Sequence, residues 1–408
     1  MRIKTSVRLI LERIIGKFGY TMVKNLELDK YRLLIDENVT LFCEKDFKNR
    51  DTKQYTVSWI MPPPGKGSGG HMTLFRTIRI LSDLGLRHKI YICDGGAGDP
   101  TVDWRGAVRE FYGIDLGENE IYPNISDMTY SDAIVATSWY TAYVARNFNN
   151  CVSKFYFVQD FEPFFFARGS EYFFAENTYR FGFRGITAGN WLAEKLHDEY
   201  GMETQPFFFA YDRNIHITRK KEDNRNRIFC YARPNTERRA FEMAVLALEA
   251  LARRVPDVEV VFAGQKLEGY HFAFDYRDLG ILRIEELSKV YSQCDMCLVL
   301  SMTNLSLLPM EVMASGSVVV SNQGENNSWL LNDQNAILVD TDPLSMAKTI
   351  EYYLKHKEEL EKRRAEGLAY VKQFTWETEI EKVYRFMVKS IEFDVEKIKD
   401  RKNLKAKE

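Results

Sequence analysis

Several groups of residues in this sequence have types and spacings that could do chemistry. The first is the loop from Pro62 to His71, where Gly65, Gly67 and Gly70 satisfy the pattern GxGxxG. It follows an apolar run and opens a helical periodicity. Glycine there lets backbone N–H groups approach a phosphate or a sugar at a helix N-terminus, with Gly67, Ser68, Gly69 and Gly70 as the contact residues. Asp94 lies about where a dinucleotide-binding fold carries its ribose carboxylate, so an NAD-dependent dehydrogenase is one reading of the loop. Three prolines between strand and glycines displace the tight turn which that reading needs, and a loop with no ligand is the third reading. No Lys-Ser or Lys-Thr follows the glycines, which excludes a Walker P-loop.

The second group is basic. Arg233 and Arg238 flank the loop after an apolar run at 227–231, and Arg239 and Lys266 lie in strand-end loops as well. A pair of guanidinium forks, permanently charged, suits a diphosphate. Solvated surface charge is the bland reading for any one of them; two strand-end loops with cations favour a site. The third group is Glu311, on a helix that Gly316 closes, preceded by the small polar loop Asn304, Leu305, Ser306 and Leu307. A carboxylate there can accept ribose hydroxyls, or merely cap a surface. The fourth is Gln159, Asp160 and Glu162, directly after an apolar strand. Asp160 is the candidate beside an acceptor hydroxyl, with Gln159 and Glu162 on the acceptor side; a plain turn is the alternative.

These groups need a scaffold that brings loops together. Apolar runs at 55–60, 89–93, 133–137, 155–158 and 185–188 alternate with helical periodicities, and the scheme repeats at 227–231, 258–262, 296–300 and 317–321. Fully apolar strands alternating with helices mean parallel sheets covered on both faces. Two such blocks joined through the polar stretch 211–226 make an α/β protein of two doubly wound, Rossmann-like domains. Ligands then bind beyond the carboxyl ends of the strands, in the cleft between the domains.

Composition agrees with this. The chain has 408 residues, 45% hydrophobic and 28% charged, which is ordinary globular usage. Net charge is −2, so no whole-molecule field draws in nucleic acid. Six cysteines are too sparse for a disulfide scaffold. Cys294 and Cys297 have CxxC spacing but no second ligand pair, and read as buried core thiols. Asp340-Thr341-Asp342 matches the DxD of metal-dependent sugar transfer, yet Asp342 precedes a helix and reads as its N-cap. No secretory leader and no apolar run of about 18 residues is visible, which points to the cytoplasm. Residues 1–25 set Ile3, Val7, Ile10, Ile14, Phe18 and Met22 at helical spacing among basic residues. Such a helix either lies on an anionic membrane at the inner face of the cell membrane or packs on its own domain. The charged stretch 396–408 reads as a frayed helix end or tail. Aromatic residues reach 13% and concentrate at 164–183, as sugar-stacking surface or as packing.

The order of these motifs resembles the retaining glycosyltransferases of family 4, which have the GT-B fold. Ala232-Arg233 with Arg238 is similar to that family's strand-end Gly-Arg with its following Lys. Glu311 and the tail Met313 to Gly316 match the second acid and the end of its EGFGLxxxEAMA-G run, while Thr303 stands where the first acid is expected. Residues 279–291 match its base-binding turn, with the base held near Leu279, Gly280 and Ile281, and 67–70 match the glycines facing the donor phosphate. The resemblance covers residues 55–390. Residues 156–179, with Gln159-Asp160 in place of His-Asp, look like the WsaF-like rhamnosyltransferases of rhamnan and S-layer glycan assembly.

The resemblance implies a metal-independent hexosyltransferase, with retention, that uses no cofactor. Its donor would be dTDP-β-L-rhamnose and its acceptor a rhamnose-containing glycan on a lipid carrier. Arg233 and Arg238 would neutralise the leaving diphosphate and Glu311 would hold the ribose. The expected divisions are an extension at 1–50, an acceptor domain at 51–213, a nucleotide-sugar domain at 214–375, and a C-terminal helix and tail at 376–408 that crosses back to the first domain. A non-catalytic glycan-binding protein of the same fold stays open because of Thr303.

Overall fold

The computed structural model describes residues 28–93 and 101–405. The amphipathic stretch 1–25, Asp94 and the last three residues of the tail lie outside them. The chain divides after Asn38 into two compact units, and the larger, residues 39–408, holds both sheets.

The first sheet has seven parallel strands: β1 (Thr56–Met61), β2 (Arg87–Ile92), β3 (Glu120–Tyr122), β4 (Ser131–Ala136), β5 (Cys151–Val158), β6 (Arg184–Ala188) and β7 (Thr204–Phe207), in the order 3-2-1-4-5-6-7. The second has six: β8 (Arg227–Tyr231), β9 (Glu259–Ala263), β10 (Tyr276–Asp278), β11 (Met296–Leu298), β12 (Val318–Asn322) and β13 (Ile337–Val339), in the order 10-9-8-11-12-13. Both are doubly wound, and in each the order reverses beside the first strand of the sheet.

The apolar runs become the central strands because both faces are covered. Ala133, Ile134, Val135 and Ala136 of β4 are fully buried, as are Val260, Val261 and Phe262 of β9. Each fully buried Val, Ile or Phe side chain among them contributes about 1.5–3 kcal/mol. The short strands β3 and β10 carry Glu120, Arg277 and Asp278 and lie at sheet edges, where one-sided burial tolerates charge. They gave no apolar run to read.

The last helix, Trp376–Lys405, buries Trp376, Ile380, Val383, Met387, Ile391 and Val395, a stripe at helical spacing. It packs on β5, β7 and the helix Gly69–Asp83 of the first sheet. Asp394 fixes it there, accepting from Arg184 at 2.6 Å and from Ser153 Oγ at 2.7 Å. Glu379 accepts the Phe208 amide at 3.0 Å. The chain therefore returns from the second sheet to the first.

Cys294 and Cys297 are buried, and burial pushes the Cys294 thiol up to about 12. They are core residues. Asp342 accepts the Ser345 amide at 2.7 Å as the N-cap of the helix Pro343–Lys355. Among the described residues no helix is long and apolar enough to cross a membrane, and no cluster of acids, histidines and cysteines could hold a metal ion.

Candidate functional site

One cavity of about 1990 Å³ lies where the carboxyl ends of the two sets of strands face each other. The loops after β1, β4 and β5 line one wall, and those after β8, β9 and β11 line the other.

On the first wall, Ser68 caps the helix Gly69–Asp83. Its Oγ accepts the His71 amide and lies 2.8 Å from His71 Nδ1. Gly67 has φ 75°, a conformation that favours glycine, and it turns the chain into the helix. Gln159 Nε2 donates to the Gly70 carbonyl at 3.1 Å, tying this loop to the end of β5. Gly67, Ser68, Gly69 and Gly70 all line the cavity, at the positive end of a fifteen-residue helix. Residues 62–68 separate β1 from that helix, so the tight strand–glycine–helix turn of a dinucleotide fold is absent there.

On the second wall, Arg233 is held by its Nε bond to the Tyr231 hydroxyl at 3.0 Å. Arg238 lies over the Phe165 ring at 4.2 Å, with its Nε 3.8 Å from Asp160 Oδ2. Arg239 donates to Ser301 Oγ at 2.6 Å. Ala240 next to it takes φ 46°, a left-handed turn that an L-residue adopts at a cost of about 1–2 kcal/mol. That strain is stored where the arginine loop enters its helix. Three guanidinium groups thus converge on one end of the cavity.

Glu311 lies on the helix Leu308–Ala314 and lines the cavity. Burial raises its carboxyl to about 7, against the pull of Arg76. Arg76 lines the same space, with Trp376 under its guanidinium at 5.0 Å and Asp212 at 3.9 Å. The sequence reading passed over Arg76, because a cation on an amphipathic helix reads as solvated until the facing domain is known. Ser306, Leu305, Leu307 and Ile281 also line the cavity.

Of the other candidates, Gln159, Asp160 and Glu162 also line the cavity. Asp160 was expected beside an acceptor hydroxyl. Both its oxygens are engaged: Oδ2 accepts from Thr303 Oγ1 and Oδ1 from the Asn304 amide, each at 2.8 Å, and Oδ1 also from the Phe161 amide at 2.9 Å. Asn304 was expected at the donor. Its side chain instead donates to the Gln159 and Ala188 carbonyls at 3.0 and 2.9 Å and accepts from Trp329 Nε1 at 2.8 Å. Asp160, Thr303 and Asn304 are therefore anchors between the two halves of the cleft. Glu162 was expected on the acceptor side. It accepts the Trp139 amide and the Tyr156 hydroxyl, each at 2.8 Å, and so clamps a helix start. Lys266 is exposed and pairs with Glu268, away from the cavity lining. The Gly280 carbonyl accepts the Gly264 amide at 2.8 Å and the Leu279 amide donates to Phe262, so neither residue joins the lining.

Residues 119–190 match the WsaF N-terminal domain and residues 226–351 the WsaF C-terminal domain. The chain resembles WsaF in both of its domains and has the GT-B fold. The matched ranges contain β4, β5 and β6 with Gln159 to Glu162, and β8 to β13 with the arginine loop and Glu311. An O-antigen biosynthesis protein, RfbC of Myxococcus xanthus, is 30% identical over 343 residues, 81% of this chain. The chain spans 27% of the length of that relative. Among solved structures, Staphylococcus aureus TarM has a TM-score of 0.66 at 9% identity, over 83% of this chain and 98% of that one. Sucrose-phosphate synthase from Thermosynechococcus elongatus gives 0.63 at 12%, over 82% and 98%. Anabaena HepE, solved with UDP and glucose, gives 0.62 at 15%, over 82% and 100%. These likenesses show the fold.

Proposed function

We propose that the chain transfers L-rhamnose from dTDP-β-L-rhamnose, with retention, to a rhamnose-containing glycan of the bacterial cell surface. The acceptor would be lipid-linked and reached at the cytoplasmic face of the membrane. One observation carries the transfer chemistry: Arg233, Arg238 and Arg239 converge across the cavity from the glycine helix start Gly67–Gly70. Negative charge grows on a departing diphosphate as the glycosidic bond breaks. Cations and amides already in place stabilise that charge more in the transition state than in the ground state, which lowers the barrier. The WsaF domain matches support rhamnose as the sugar, and the O-antigen relative supports a surface polysaccharide as the product. Glu311 would accept ribose hydroxyls.

A nucleotide-diphosphate release assay tests the reading, over a panel of sugar nucleotides with and without a rhamnosyl acceptor. Release should be greatest with dTDP-rhamnose and need the acceptor. Arg233→Ala should slow it by about 10²–10³. Equal release from every nucleotide sugar would overturn the donor assignment, and loss of activity in EDTA restored by manganese would overturn metal independence.

A further inference from the structure

Behind Glu311 lies a polar chain that the transfer chemistry leaves unexplained. His216 is buried, with its side chain wholly enclosed. Its Nδ1 is 3.3 Å from Ser315 Oγ, and Ser315 Oγ donates to Ser288 Oγ at 3.3 Å. Its Nε2 has no hydrogen-bond partner and points at Glu311 Oε1 from 3.6 Å. A buried imidazole nitrogen without a partner is costly, so its nearest polar neighbour needs a reason to be there.

The proton positions follow from the chain. Ser315 gives its proton to Ser288, so it can only accept from His216 and Nδ1 carries the hydrogen. Nε2 is then a bare lone pair, and the group that matches it is a protonated carboxyl. We infer that His216 is a positioning residue for the nucleotide site: Nε2 accepts a hydrogen bond from the proton that Glu311 keeps on Oε1, which leaves Oε2 to face the cavity as an acceptor. The inference rests on the reading that Glu311 meets the donor's ribose.

The surrounding groups agree. Facing Glu311 are Arg76 from the helix Gly69–Asp83 and the buried Tyr291 from the helix Ile284–Ser292. Facing His216 are Asp212, Arg76 and Arg219. Burial holds the imidazole down at about 4 and the carboxyl up at about 7, so a neutral imidazole meets a protonated acid through the slightly acid range. Closing the gap by about 0.7 Å makes an ordinary hydrogen bond.

Nitrogen NMR of the full chain reads the tautomer directly, with the His216 signal assigned by its loss in His216→Gln. A proton on Nδ1 and a bare Nε2 is expected; a proton on Nε2 overturns the inference. Calorimetry with dTDP tests the consequence. Affinity should fall about tenfold in His216→Phe, the worth of one buried hydrogen bond. His216→Gln, whose amide oxygen can accept the same proton, should recover most of it. The pH inflection of binding near 7, absent in Glu311→Gln, should move to lower pH in His216→Phe, because the neutral acid has lost its partner. Wild-type affinity and an unmoved inflection in His216→Phe overturn the inference. Failure of the wild-type chain to bind dTDP sinks the nucleotide reading, and the tautomer then decides the inference on its own.

Discussion

Replacing Asp160 separates a chemical role from an architectural one. The carboxylate accepts three hydrogen bonds, from Thr303, Asn304 and Phe161, and faces Arg238 and Arg239. Removing one partner of a buried charged group costs about 3–5 kcal/mol, because the donors and cations left behind stay desolvated. Bonds to an ionised acceptor, at about 1.5–3 kcal/mol each, put the sum at or above that range. Asp160→Ala should therefore lower stability by about 3–5 kcal/mol. For a cooperative unit of one sheet and its helices, that is a fall in Tm of about 6–20 °C. Asp160→Asn keeps one acceptor oxygen but turns an N–H toward a donor, and should lose less. Thermal unfolding by tryptophan fluorescence measures both, since Trp329 sits on the same anchor through Asn304. Thr303→Val should cost about 1–2 kcal/mol alone and little in the Asp160→Ala background, because the two share a bond. Asp160→Ala with an unchanged Tm and a collapsed kcat would refute the anchor and return the carboxylate to the chemistry.

Three further outcomes are expected. A Cβ at Gly189 would sit 2.5 Å from the Trp329 ring at φ 85°, so Gly189→Ala should lose about 2–4 kcal/mol from strain and overpacking, read as a lower Tm. Burial raises Glu162 to about 7, so the folded chain holds a proton that the unfolded chain releases near 4.5; stability should fall as pH rises through that window, with a shallower slope of Tm against pH in Glu162→Gln. Phe165→Ala removes the ring beneath Arg238, an interaction of about 1–2 kcal/mol, and should raise the donor KM roughly five- to thirtyfold in steady-state kinetics.

The central strands were legible because burial on both faces demands apolar runs, and β1, β4, β5, β8, β9 and β12 all announce themselves that way. The cation groups were legible because Arg233 and Arg238 sit just beyond strand ends, which the fold turns toward the cleft. What residue type could not show was whether a polar side chain meets a ligand or another side chain. Asp160, Glu162 and Asn304 have the right chemistry for a site and the right address, yet each spends its hydrogen bonds on protein. Thr303 was the available clue: a hydroxyl where the resemblance leads one to expect an acid is what the neighbouring Asp160 carboxylate needs, since two buried acids in contact would repel. Of the aromatic run, Tyr179 and Phe183 pack while Phe165 reaches the cavity, a division that depends on the opposite wall.

The same arrangement explains how a chain of net charge −2 can offer an anion site. Charges of both signs line the cavity, and among them the cations Arg76, Arg233, Arg238 and Arg239 accompany the carboxyls Asp160, Glu162 and Glu311. Guanidinium groups stay charged when buried, whereas burial raises all three carboxyls, Glu162 and Glu311 to about 7. Near neutral pH those three acids are partly protonated or spent on local donors, so they offset the four guanidinium groups only in part. Next to the arginine loop the local field is therefore biased toward positive, and low-dielectric walls focus it on the space between that loop and the glycine helix. A diphosphate bound as proposed would pair with those guanidinium groups. Raising pH above 7 ionises Glu162 and Glu311 and weakens the field, so affinity for the diphosphate falls there, while the carboxylate of Glu311 becomes a better acceptor for ribose. The two tendencies oppose each other around the value of about 7 to which burial raises both carboxyls.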